Sequence, residues 1–191
     1  ATMAENPFYN RFYAYDMNQG QGSQYTYAAY FWELYYGWIR LANDVISSIK
    51  PVVEGEDDPD PELKHILGQA YAYRAMCYLD LARLYEPKVN DYTDVRKVLG
   101  LTVPIVDENT TIEQTKNNPR VKRDVMYKFI FNDLDKALEL LNPADVTFSR
   151  PTINAVYGMF ARAYLELGYA NDPAFSKEEA FTKASEYARK V

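Results

Sequence analysis

Cysteine and histidine are almost missing from this 191-residue chain, which holds one of each, Cys77 and His65. A lone cysteine excludes an internal disulfide, and one histidine with one cysteine cannot make a tetrahedral zinc site. Twelve positions apart on one predicted helix, the two cannot meet as a Cys/His pair either, and no Ser/His/Asp arrangement is evident. The sequence therefore predicts no metal, no cofactor and no enzyme. Basic excess is also lacking. Twenty-one Lys and Arg stand against 27 Asp and Glu, giving a formal charge of -6 and a pI near 4.9. A phosphate backbone is repelled by such a chain, so nucleic acid is not expected as a partner. No run of about 18 apolar residues occurs, which excludes a membrane-spanning helix. The opening "ATMAENPFYN" lacks the basic start and apolar core of a signal peptide, and reads as the interior of a mature chain.

What is present is apolar and aromatic. Hydrophobic residues make up 48% of the chain, enough to bury a core, and 18 tyrosines raise the aromatic share to 15%. An aromatic excess packs helices or stacks on something flat, such as a sugar face or a base.

Residues 1–27 are rich in Asn, Gln, Gly and Tyr without a sustained period, and read as an irregular segment. From Ala28 the positions Phe31, Leu34, Tyr35, Trp38, Ala42, Val45 and Ile49 recur at three- and four-residue steps, predicting a helix over about 28–49 that Pro51 and "EGEDDPDP" end. That acidic run lacks the alternating ligands of an EF-hand and reads as a solvated turn. A second helix, about 62–86, carries Leu63, Leu67, Ala70, Arg74, Cys77 and Leu81, and the short link predicts an antiparallel hairpin. Residues 88–121 form a long connecting excursion in which only "LTVPIV" looks extended. Three more helices follow over about 123–141, 152–168 and 176–191, with Gly168 at a C-terminal cap and Ser176 as N-cap. The small residues of "NAVYGMFARAYLELG" face alanines at Ala180, Ala184 and Ala188, the way a tetratricopeptide repeat seats its helices. The predicted fold is all-α: tetratricopeptide-like antiparallel helical hairpins over 28–191, with the irregular excursion between the second and third helices.

Trp32, Tyr36, Ile39 and Asn43 stand at the spacing W-x3-Y-x2-I-x3-N, and this resembles the signature of SusD/RagB-type glycan-binding proteins of the Bacteroidetes outer membrane. Four further segments agree in order: "GQAYAYRAMCYLDLARLY" at 68–85, "GLTVPIV" at 100–106, "RDVMYKFIFNDLDKAL" at 123–138 and "YGMFARAYLEL" at 157–167. The resemblance implies a surface lipoprotein that captures glycan and hands it to a SusC-like TonB-dependent transporter, by binding and without catalysis. It also implies that the lipidated cysteine and the larger C-terminal portion of such proteins lie outside this chain. The chain would then be the helical scaffold part, binding glycan weakly or not at all by itself. The alternative is a tetratricopeptide-type protein–protein interaction module with no sugar site of its own.

Core packing is the first reading for Trp32, Tyr35, Tyr36 and Trp38, which sit on or beside the apolar stripe. Trp32 and the tyrosines of the N-terminal segment, Tyr9, Tyr13, Tyr15, Tyr25 and Tyr27, are the sugar-stacking candidates, Tyr13, Tyr15 and Tyr25 foremost. Anchoring that segment on the scaffold is their competing role. Asn43 falls on the greasy side of its helix, where a buried amide must find partners or cost about 1–3 kcal/mol. It is expected to bridge to neighbouring backbone. Arg74 and Asp133 each place a charge on an apolar stripe, and a buried salt bridge between their helices offsets a cost that neither could meet alone. His65, near a helix start, is expected to be exposed.

Overall fold

The computed structural model describes residues 26–89, 91, 94–170 and 172–191, with the side chains of 26–28 excepted. The chain divides into two compact units, 1–37 and 38–191. Six helices occur among the described residues: α1 (Thr26–Gly55), α2 (Pro61–Tyr85), α3 (Ile112–Thr115), α4 (Arg123–Leu140), α5 (Ile153–Ala170) and α6 (Lys177–Ala188). The protein is all-α. The extended segment contributes a single antiparallel bridge, Leu101 to Lys122.

Local chemistry sets most of the helix boundaries. Pro61 opens α2 and the Asp60 carboxylate caps it, accepting the Glu62 N–H at 2.9 Å. Ser176 caps α6 through the Glu179 N–H, with Glu178 and Glu179 in the first turn. Two boundaries differ from expectation. α1 runs through Pro51 to Gly55. The proline forfeits one helical hydrogen bond, yet it is exposed and in the final turn, where water can take the freed carbonyl. Gly168 lies inside α5 and is buried. It serves close approach and caps nothing: a Cβ there would stand 2.6 Å from the Phe181 ring of α6.

Within residues 38–191 the tightest helix pairs are α2 with α4 and α5 with α6, α4 meeting α5 next. Between α1 and α2, joined by the bond from Arg74 to Asn43, lies a groove. The core-facing stripe of α1 is Ile39, Ala42, Asn43 and Ile46, one position on from the stripe read from the sequence. Trp38 and Leu41, at 44% and 57% exposed, line instead an apolar groove of about 410 Å³ facing Ile66, Ala70, Tyr73 and Met76 of α2. The helix carries two adjacent apolar faces, and periodicity alone cannot say which one the core takes.

The core itself is Leu67, Tyr71, Tyr78 and Leu81 of α2 against Met126, Ile130, Leu134 and Ala137 of α4, with Val156, Phe160 and Leu167 of α5. On the far side a layered aromatic stack ties three helices together: Phe131 lies over Tyr164 at 4.5 Å, and Phe160 over Tyr187 at 4.4 Å. Within the excursion from 86 to 122, Thr102 and Val103 pair with Val121, and the segment is held to the bundle by burial of Thr102 and Val103 and by bonds from Tyr78 of α2 and Asn43 of α1 to Val106. Gly100, at φ +73°, turns the chain into this segment, a conformation that glycine adopts without penalty.

Candidate functional site

Asn43, Arg74 and Asp133, predicted from three separate helices, come together at one buried point. Helical period sets each on the inner face of its helix. The Arg74 guanidinium donates to Asp133 through Nε (2.7 Å to Oδ2) and Nη2 (2.9 Å to Oδ1), a two-pronged match of planar groups. Arg74 is 2% exposed and Asp133 not at all. Its Nη1 donates to Asn43 Oδ1 at 2.8 Å and to Glu108 Oε2 at 2.6 Å. Asn43 in turn donates through Nδ2 to the Val106 carbonyl at 3.0 Å, and the Tyr78 hydroxyl both donates to that carbonyl and accepts the Val106 N–H. Lys50 reaches the second oxygen of Glu108 at 3.3 Å. Two cations and two carboxylates thus pin the 102–110 segment where α1, α2 and α4 meet.

Electrostatics follow from that closure. Burial opposes the charge on Arg74, but the hydrogen bonds and charges of Asp133 and Glu108 outweigh it and hold its pKa above the ordinary value. Burial also lifts the Asp133 carboxyl above its usual range, with Arg74 working against the shift. Glu108 goes the other way: burial would raise it, and hydrogen bonds from Arg74 and Lys50 more than offset this and keep it low. The Tyr71 hydroxyl is pushed up to about 12, chiefly by burial and then by Glu108. Cys77, buried on α2, is likewise raised to about 12 by burial, which leaves it a poor nucleophile.

Of the sugar-stacking candidates, Tyr9, Tyr13, Tyr15 and Tyr25 lie outside the described residues, as does the side chain of Tyr27. Trp32 is half-buried within the first unit, its ring 4.7 Å from that of Tyr36 and tilted by 40°. His65 departs from expectation. It is 3% exposed and its imidazole is fully engaged. The Asn142 N–H donates to Nδ1 at 3.0 Å, which puts the ring proton on Nε2 and toward Asp145 at 2.9 Å. The residues that follow α4 fold back over the start of α2 and cover the ring, an arrangement that no helical period announces.

Sequence reasoning missed two further clusters. Arg123 at the start of α4 joins Glu86, just past α2, to Asp172 between α5 and α6, the latter at 2.7 Å. Arg83 and Asp80 of α2 reach Glu166 and Arg162 of α5, each at 2.7 Å. Glu108 and Glu86 sit at irregular positions where burial has no period to betray it, so charge alone gave no signal.

Known proteins bear on this arrangement. Residues 2–165 match the SusD-like family described as "Starch-binding associating with outer membrane". The chain belongs to the SusD-like family. A SusD-like protein of Bacteroides ovatus is 23% identical over 160 residues, covering 84% of this chain and 26% of its own length. A solved SusD-like carbohydrate-binding protein from Bacteroides vulgatus is 25% identical with a TM-score of 0.59, over 84% of this chain and 30% of the other. A structure solved with a xylogluco-oligosaccharide superposes over 97% of this chain and 32% of its own, at 20% identity and a TM-score of 0.60, which shows the shared fold. The chain spans about a quarter to a third of the length of these proteins.

Proposed function

We propose that this chain is the helical scaffold part of a non-catalytic, cell-surface glycan-capture protein that delivers oligosaccharides to a SusC-like TonB-dependent transporter. The observation that carries the reading is the family match over residues 2–165, whose description names starch binding and the outer membrane. A structural neighbour of the same fold, solved with a xylogluco-oligosaccharide, supports glycan as the ligand class. The chemistry of the described residues suits binding: the one histidine is spent on holding a loop, and the one cysteine is buried with its thiol raised. Neither is placed as a base or a nucleophile. Attachment at the outer membrane by a lipid anchor belongs to the same proposal.

The test is affinity electrophoresis of the full-length protein in gels containing starch, laminarin or xyloglucan, paired with an assay for new reducing ends. Retardation by at least one polysaccharide without new reducing ends is expected. Mobility unchanged in all three, or release of reducing ends, overturns the reading.

A second reading keeps the fold as a protein–protein interaction module without a sugar site. The apolar groove between α1 and α2 favours it, being lined almost wholly by hydrophobic side chains.

A further inference from the structure

The loop between α4 and α5 is held by one carboxylate. Asp145 accepts the Nε2–H of His65, the Nε–H of Arg150 and the Thr147 N–H, each at 2.9 Å, and hydrogen bonds from Thr147, with His65 and the charge of Arg150, keep its pKa well below the ordinary value. Asn142 adds to this by accepting the Ala144 N–H at 2.9 Å while its own N–H goes to His65. A loop so fully bonded has little freedom to bury its apolar side chains elsewhere. Nonetheless it presents Phe148 fully exposed, at 105%. Beside that ring lies a concavity of about 700 Å³ between the loop, the first turns of α5 and Val191.

The lining of this concavity is mostly apolar, with Val146, Ile153 and Val191 in it, and carries a few polar groups. Phe148 supplies an aromatic face. Arg150, 44% exposed with only its Nε directed at Asp145, supplies donors, while Thr152 and the exposed Asn154 each supply a donor and an acceptor. Gly158 lies in the wall, and a side chain added there would meet nothing within 4 Å, so the space is open. A pyranose has matching parts: an apolar C–H face and a rim of hydroxyls that both give and accept hydrogen bonds. A free anion fits less well, because Asp145 is part of the lining.

We infer that this concavity is a saccharide subsite, with Phe148 stacking on a pyranose face and Arg150, Thr152 and Asn154 bonding its hydroxyls. The inference rests on the glycan-capture reading and goes beyond it, since it places a sugar contact on the α4–α5 loop, apart from the tyrosines of the N-terminal segment. A preformed loop loses little entropy when it binds, which is what a weak, local subsite needs.

The experiment is amide NMR of the chain titrated with maltoheptaose, laminarihexaose and a xyloglucan heptasaccharide at millimolar concentration. The subsite predicts shifts at Phe148, Arg150 and Asn154 with at least one probe, weakened about fivefold or more by Phe148→Ala and kept by Phe148→Tyr. Since Phe148 is wholly exposed, its removal should leave the fold intact, as unshifted core amides would verify. Shifts confined to other residues, or unchanged by Phe148→Ala, overturn the subsite and leave glycan capture standing. If the full-length protein, run in parallel, binds no probe either, the glycan reading falls together with the subsite.

Discussion

Arg74 is a residue that this interior could not hold by itself. Its guanidinium makes four hydrogen bonds to three partners, and each partner is buried or nearly so. Removing one carboxylate strands the charge in a low-dielectric site, so Asp133→Asn should lower stability by about 3–5 kcal/mol in urea unfolding. The exposed pair Glu113–Lys116 is the control, where Glu113→Gln should change it by roughly 0–1 kcal/mol. Glu108 gives the pair a pH signature. Its pKa is depressed in the fold, so its contribution is present above the ordinary value of about 4.5 and is lost as pH falls through the folded value. The stability gap between the native protein and Glu108→Gln should therefore be widest at neutral pH and close in acid; a gap that is constant with pH would contradict the assignment.

The two ends of the Arg74–Asp133 pair were legible because a charge repeating in phase with Leu, Ala and Ile has to be buried, and a buried charge needs a partner. Glu108 was not, since the excursion has no period that could mark it as inward. His65 was misread for a related reason. Its burial comes from a loop about 80 residues away, and a helix start gives no hint of what will fold over it.

At the scale of helices, the sequence pattern located α2, α4, α5 and α6 within a few residues, because their stripes are bounded by caps and prolines that act locally. α1 was legible as a helix and its face only in part: Ala42 and Asn43 were read as inward and are buried, whereas Trp38 is exposed. Its aromatic-rich surface offers two stripes, and the partner that decides between them is a tertiary matter. Gly168 was misassigned because a glycine near the end of a pattern reads equally as a cap or as a contact. The contact has a measurable consequence. Gly168→Ala should destabilise the native protein, since the new methyl collides with Phe181 and costs more than the helix preference returns. In a Phe181→Ala background the same substitution should stabilise by about 1 kcal/mol, the ordinary gain of alanine over glycine in a helix. Thermal melts of the four proteins read the reversal, and an unchanged sign in both backgrounds would rule out the contact.

At the scale of the whole molecule, the polar groups inside residues 38–191 are mostly bonded to one another, the buried Arg123 Nε–H being an exception. The Arg74 network, the Arg123 cluster and the aromatic stack all join helix to helix, and the groups they use are not available to a ligand. That bonding suits the scaffold role proposed above, for a chain that spans about a quarter to a third of its SusD-like relatives. Strong sugar binding needs several walls converging from different segments. On this account the chain supplies at most a weak share of them, from the N-terminal tyrosines and the Phe148 loop. The most direct measurement is calorimetric titration of the 191-residue chain and of the full-length protein with the same oligosaccharide. The account predicts clear binding by the full-length protein and affinity at least about tenfold lower for the chain alone; equal affinity for both would contradict it, by placing the whole glycan site within these residues.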